Sequence, residues 1–154
     1  MTDPIQYRLE DQIAVITMDD GKANALNPNS LQGLHRALDR AKDEARAVIL
    51  TGRPGRFSAG FDLKIMTSSM QNAQALLLEG AEVFLRIYNF PLPVVMACTG
   101  HALAGGCLTL LCGDLRIGVQ GEFKLGMNEV AIGMPIPILG LELVRARVKQ
   151  ERLD

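Results

Sequence analysis

At 154 residues the chain has the length of one domain, enough to bury roughly 70% of the surface its unfolded form exposes. Sixteen Lys and Arg against 17 Asp and Glu leave a net charge of −1, and 48% of the residues are hydrophobic, a balance that points to neither a nucleic-acid nor a membrane-surface partner. No apolar run approaches the ~18 residues of a membrane helix. The polar opening MTDPIQYRLEDQ has no signal- or transit-peptide character, so the expected location is the cytoplasm.

In chain order, the β-branched run Ile13 to Met18 predicts a strand, with Tyr7 to Glu10 its antiparallel partner across Asp11-Gln12. After the break Asp19-Asp20-Gly21, a loop Lys22 to Leu26 leads to Asn27-Pro28, an N-cap and a proline at the first helical position. Leu34, Leu38, Ala41 and Ala45 keep helical spacing, while Arg36, Asp39, Arg40 and Asp43 face water and His35 sits at the boundary. Ala47 to Leu50 reads as a buried strand ended by Thr51-Gly52, with Arg53 to Arg56 as a loop. Phe57-Ser58-Ala59-Gly60-Phe61-Asp62-Leu63 follows, small residues and glycine that let a ligand approach the backbone.

Thr67 to Ser69 offers caps for a helix over 71–88, with Leu77, Ala81, Phe84, Leu85 and Tyr88 at core spacing. Val94 to Cys98 is a strand, and Asp114 to Val119 and Glu122 to Leu125 are two more. Asn128 to Ile132 and Leu139 to Val148 read as helical, and the chain runs out in the charged stretch VRARVKQERLD. Alternating strands and helices predict the α/β class with a largely parallel sheet.

Between two of those strands, Ala104-Gly105-Gly106 opens the apolar run Cys107 to Cys112. Strand, glycine turn and short buried helix aim unpaired amides at a ligand, and the helix macrodipole adds partial positive charge there. This is a geometry for holding an oxyanion, and a tight packing turn is the plainer alternative. Cys98, Cys107 and Cys112 all lie here, odd in number, and fit reduced buried thiols. Their spacing is not that of a zinc site and only His35 and His101 could assist, so no metal is expected.

Taken together these motifs resemble the crotonase superfamily of enoyl-CoA hydratases and isomerases. Lys22-Ala23-Asn24-Ala25-Leu26 is similar to its first loop contacting coenzyme A, and Phe57 to Leu63 to its F-x-A-G-x-D-[LI] loop. Gly100 to Cys107 is similar to its G-x-A-x-G-G-G motif, with Ala104 replacing the first of three glycines. Cys112 to Arg116 and Phe123 to Gly133 continue in order.

The resemblance implies an α/β, crotonase-like spiral of ββα repeats over 1–154 and an enzyme acting on acyl-CoA thioesters, most simply in fatty-acid metabolism. The amides of Phe61 and Gly105 would form an oxyanion hole for an enolate. Lys22, Ala23, Ala25, Ser58, Ala59, Gly60, Asp62 and Leu63 would contact coenzyme A, which is part of the substrate and not a covalently held cofactor. A homo-oligomer, trimer or hexamer, is also implied.

Hydratases of the superfamily place one glutamate directly after Gly-Gly-Cys, where this chain has Leu108, and a second in a P-E-x-x-x-G-like segment, matched by Glu129. One carboxylate favours Δ3,Δ2-enoyl-CoA isomerisation with Glu129 as the base. Hydration by Glu129 with another acid is the alternative. Gly133 to Pro137 only partly matches the family turn, and the family's C-terminal helices have no counterpart here. A third expectation is therefore a fragment that binds acyl-CoA or associates with a longer homologue without turnover. Read on their own, Asp62 and Asp114 are carboxylates making local backbone bonds, and His101 is a packing or capping residue.

Overall fold

The computed structural model describes residues 3–149. Strands β1 (Ile5–Glu10) and β2 (Ile13–Met18) form an antiparallel hairpin whose turn, Asp11-Gln12, has both residues at positive φ. Such a turn matches the twist of the strands it joins. β1 starts two residues before the predicted partner strand because Ile5 is itself buried in the core.

From β2 the chain repeats one unit: a strand for a large sheet, a short strand for a smaller one, and a helix. The first turn of this spiral is β2, β3 (Ala25–Leu26) and α1 (Pro28–Glu44). The second is β4 (Ala47–Gly52), β5 (Gly55–Ser58) and β6 (Gly60–Phe61), then α2 (Leu63–Met66) and α3 (Met70–Tyr88). The third is β7 (Val94–Cys98), β8 (Gly100–Leu103) and α4 (Gly105–Cys112). The fourth is β9 (Leu115–Gly118), β10 (Leu125–Gly126), a 3-10 turn (Val130–Ile132) and α5 (Ile138–Arg147).

The large sheet runs β1-β2-β4-β7-β9, parallel after the hairpin, and β10-β8-β5 and β3-β6 are parallel as well. The expected largely parallel α/β architecture is thus present as a ββα spiral.

Local chemistry sets these elements. Asn27 caps α1 by accepting from the Ser30 amide at 3.0 Å, while Ser30 Oγ accepts from the Asn27 amide at 2.9 Å, a reciprocal box ahead of Pro28. Leu31, Leu34, Leu38 and Ala41 then turn inward. In β2, β4 and β7 alternate residues are buried (Ile16, Leu50 and Met96 among them), the period-two signature of a half-covered sheet.

The structure departs from the sequence reading at five points. Gly55 and Arg56 belong to β5 rather than to a loop, and residues 100–103, left without an element between the predicted strand and the glycine turn, form β8. The two strands pair so closely that a Cβ on Gly100 would lie 2.0 Å from the Gly55 carbonyl carbon, a separation only glycine permits. The core face of α3 is Leu76, Gly80, Val83, Phe84 and Ile87. Of the residues predicted for that face, Phe84 is on it, Leu77, Ala81 and Tyr88 flank it, and Leu85 is exposed. A helix with apolar residues on two faces gives no single phase to read.

The predicted strand 122–125 shrinks to Leu125–Gly126, where pairing with β8 is available. Finally, α2 was not foreseen; Asp62 starts it by accepting from the Lys64 amide at 2.9 Å. The end of the charged C-terminal run, 150–154, lies outside the described residues.

Candidate active site

The two loops singled out in the sequence meet. A Cβ on Gly60, which has φ of +88°, would lie 2.8 Å from the Leu103 carbonyl oxygen and 2.9 Å from the Gly105 amide nitrogen. The Phe61 ring lies against the Cα of both Gly105 and Gly80. Helix α4 makes its first internal bond from the Leu108 amide to the Ala104 carbonyl at 3.0 Å, so the amides of Gly105, Gly106 and Cys107 have no partner within the helix. Ala104 holds φ of 48° to turn β8 into α4, a strained non-glycine conformation at the position where the resemblance expects glycine. Its carbonyl and amide are both used, the amide donating to Gly126 at 2.9 Å.

A cavity of about 320 Å³ opens beside this junction. Ala59, Phe61, Leu63 and Ala104 form one side, Met66, Met70, Ala73, Gln74 and Leu77 another, and Asn128, Glu129, Met134, Pro135 and Pro137 the third. The wall is apolar except at Gln74, Asn128 and Glu129. Glu129 is 6% exposed, and its Oε2 is buried without a hydrogen-bond partner. Its neighbour Asn128 likewise has a buried, unpartnered Oδ1. Leu108, at the position after Gly-Gly-Cys, is buried and packs under Gly140 of α5, with both Cδ atoms 3.2 Å from where a Cβ of that glycine would be. Among the described residues no other carboxylate lines the cavity.

Ala59, Phe61, Leu63 and Glu129 therefore line one space, with Gly105 directly behind Phe61. Lys22, Ala23, Ala25, Ser58, Gly60 and Asp62 do not line it. They form the layer that supports it. Ala25 pairs with Gly60 across β3 and β6, and the Ala23 carbonyl accepts from the Ala59 amide at 3.0 Å. Lys22 is exposed, its carbonyl accepting from Arg53 at 3.0 Å. Ser58 Oγ donates to the Asn24 carbonyl at 2.7 Å and accepts from the Gly60 amide at 3.1 Å, so the hydroxyl is fully committed to the fold.

Asp114 accepts from the Val94 amide at 2.8 Å, a structural bond like that of Asp62. His101 accepts from the Lys124 amide at 2.9 Å through Nδ1 and packs edge-on to Phe123, tethering the β10 segment.

Sequence reasoning missed Asn24, which joins the loops. At 3% exposure and φ of 52°, it donates from Nδ2 to the carbonyls of Met18 (2.8 Å) and Phe57 (3.1 Å), and its Oδ1 accepts from the Asp20 amide (3.0 Å). Burial alone would push the Asp20 carboxyl up. The backbone amides of Asn24, Lys22 and Ala25, aided by Arg53, outweigh burial and hold it below the ordinary aspartate range. The one signal available was asparagine's tolerance of positive φ inside a turn-rich loop. Asn128 and the three wall methionines were also passed over, since a lone polar or apolar residue carries no spacing.

The thiols are poor nucleophiles here. Burial, with the charges of Glu129 and Cys98 added, pushes Cys107 up to about 11, and burial pushes Cys112 up to about 12.

The family model for enoyl-CoA hydratase/isomerase matches residues 8–152. The chain belongs to the enoyl-CoA hydratase/isomerase family. It is similar to a probable enoyl-CoA hydratase of Bacillus subtilis, 34% identical over 84% of this chain and 52% of the relative. Among solved structures it is similar to an enoyl-CoA isomerase of Mycobacterium tuberculosis, 47% identical with a TM-score of 0.93 over 98% of this chain and 66% of that one. The human mitochondrial Δ3-Δ2-enoyl-CoA isomerase is 30% identical with a TM-score of 0.86, over 92% of this chain and 58% of that one.

The crotonase fold is thus shared with family members under both names, and the chain spans about half the length of the curated relatives it matches. Among the described residues no helix is long and apolar enough to cross a membrane.

Proposed function

We propose that this family member is the catalytic core of an acyl-CoA-processing enzyme that shifts a double bond from C3 to C2 of an enoyl thioester. The observation that carries the reading is the solitary acid. Glu129 offers a buried, unpartnered oxygen to an otherwise apolar cavity, and buried Leu108 stands where hydratases of the superfamily place their other glutamate.

In this reading the thioester oxygen lies against the amides of Phe61 and Gly105. Glu129 takes a proton from C2, the electron pair of the broken C–H bond spreads into a dienolate, and Glu129 returns the proton at C4. The helix dipole of α4 favours the developing negative charge. Removal of one such amide donor would cost 10²- to 10³-fold in rate, on the order seen for oxyanion holes generally. Coenzyme A enters as part of the substrate. Because the side chains of Ser58 and Asp62 are occupied by the fold, that loop contacts it through backbone groups and the exposed Leu63. Association into an oligomer belongs to the same proposal.

Incubation with a 3-enoyl-CoA should give the 2-enoyl thioester, and Glu129→Gln should lower the rate by about 10²- to 10⁴-fold, the usual worth of a general base. A second reading, hydration of the 2-enoyl thioester, is favoured by the hydratase names of the curated relatives. Formation of a 3-hydroxyacyl product that also depends on Glu129 would replace the isomerase reading with it. Tight acyl-CoA binding with no product from either substrate would leave a binding role alone.

A further inference from the structure

Asn128 and Glu129 are successive residues lining one cavity, and each has a buried oxygen without a hydrogen-bond partner. Both atoms are acceptors while the glutamate is ionised, so neither can satisfy the other. Leaving buried polar oxygens unpaired is costly, and unpaired groups of this kind mark places where a partner appears during function. The surrounding wall is apolar at Phe61, Leu63, Met66, Leu77, Met134 and Pro135, and the Gln74 amide, which also lines it, makes no hydrogen bond to either oxygen. A donor arises when Glu129 takes up a proton, and Asn128 Oδ1 is an unpartnered acceptor on the neighbouring residue of the same cavity.

We infer that Asn128 is a positioning residue for the proton in transit, accepting a hydrogen bond from the Glu129 carboxyl between removal at C2 and return at C4. This rests on the isomerase reading. It balances without another reagent. The C2–H bond breaks, its electron pair enters the dienolate, the proton resides on the Glu129 oxygen, and the C4–H bond forms as the double bond settles between C2 and C3. A proton held against Asn128 is kept from exchange with solvent during the life of the dienolate.

The test follows the proton. The unlabelled 3-enoyl-CoA is converted in D₂O by the wild-type chain, Asn128→Leu and Asn128→Gln, and deuterium at C4 of the product is measured by mass spectrometry alongside kcat and KM. Asn128→Leu should raise the deuterium fraction several-fold and lower kcat by about tenfold, the scale of one hydrogen bond to an ionisable group, with KM within about twofold. Asn128→Gln, which keeps the carbonyl, should recover a large part of both.

Unchanged kcat and deuterium content in Asn128→Leu would overturn the inference while leaving the isomerase reading intact, as would equal loss in both variants with no change in deuterium. Should the leucine variant not fold, Asn128→Ala is read by the same criteria. Absence of conversion by the wild-type chain would remove the isomerase reading and this inference with it.

Discussion

The first three turns of the spiral and the fourth are built from the same unit but covered very differently. β2, β4 and β7 each bury alternate side chains, and Phe57 between them is 0% exposed. β9, Leu-Arg-Ile-Gly, has all four of its residues exposed, Leu115 and Ile117 included, and Val130 and Ile138 further along are more than 70% exposed. Glu129, the one carboxylate of the cavity among the described residues, belongs to this thinly covered turn. The well-packed early turns therefore hold the fold and the glycine loop of the site, and the thinly covered last turn carries Glu129 to the cavity beside it.

This contrast can be broken from either side. Phe57→Ala in the packed part should cost about 3–5 kcal/mol in chemical denaturation, the range for deleting a buried aromatic ring. Gly60→Ala should cost about 1–3 kcal/mol, since the new methyl meets the Leu103 carbonyl and the Gly105 amide at positive φ. It should also depress turnover more than stability, because the Gly105 amide is displaced. On the other side, Ile117→Thr and Ile138→Ser should each change stability by no more than about 0.5 kcal/mol. The same two changes should reduce self-association in sedimentation, since they remove exposed apolar surface. A loss of several kcal/mol at Ile117 would refute the contrast.

The smallest effect is read from the acid limb of the stability profile. The folded state holds Asp20 below its ordinary range, so its stabilisation is complete above about pH 4 and disappears as the pH falls through the lower folded value. Asp20→Asn should therefore flatten the acid limb of the stability profile and lower stability at neutral pH, as followed by circular dichroism against pH.

Much of the spiral is legible in the sequence because its signals are local. Asn27-Pro28 fixes the start of α1, β-branched runs give β2, β4 and β7, and Ala104-Gly105-Gly106 marks the start of a helix. What escaped depends on partners far along the chain. β5 and β8 exist because Gly55 and Gly100 fit against each other, and β10 because β8 offers an edge. The phase of α3 was misread since Leu77 and Ala73 serve the cavity while Leu76 and Phe84 serve the core. In the candidate site, Glu129 and the Phe61 and Gly105 loops could be named from motifs, whereas Asn24 and Asn128 matter only through what surrounds them. No spacing encodes a buried oxygen without a partner.

The order of strands in the large sheet, β1-β2-β4-β7-β9, is also their order along the chain. In that sheet each new strand pairs with one that precedes it in the chain, whereas β3 and β5 of the smaller sheets find their partners only when β6 and β8 follow. Domains form from the N-terminus during synthesis, and in this molecule the growing sheet always presents the edge that the next strand needs. The loops carrying Phe61 and Gly105 precede Glu129 in the chain, so the cavity's carboxylate is made after them.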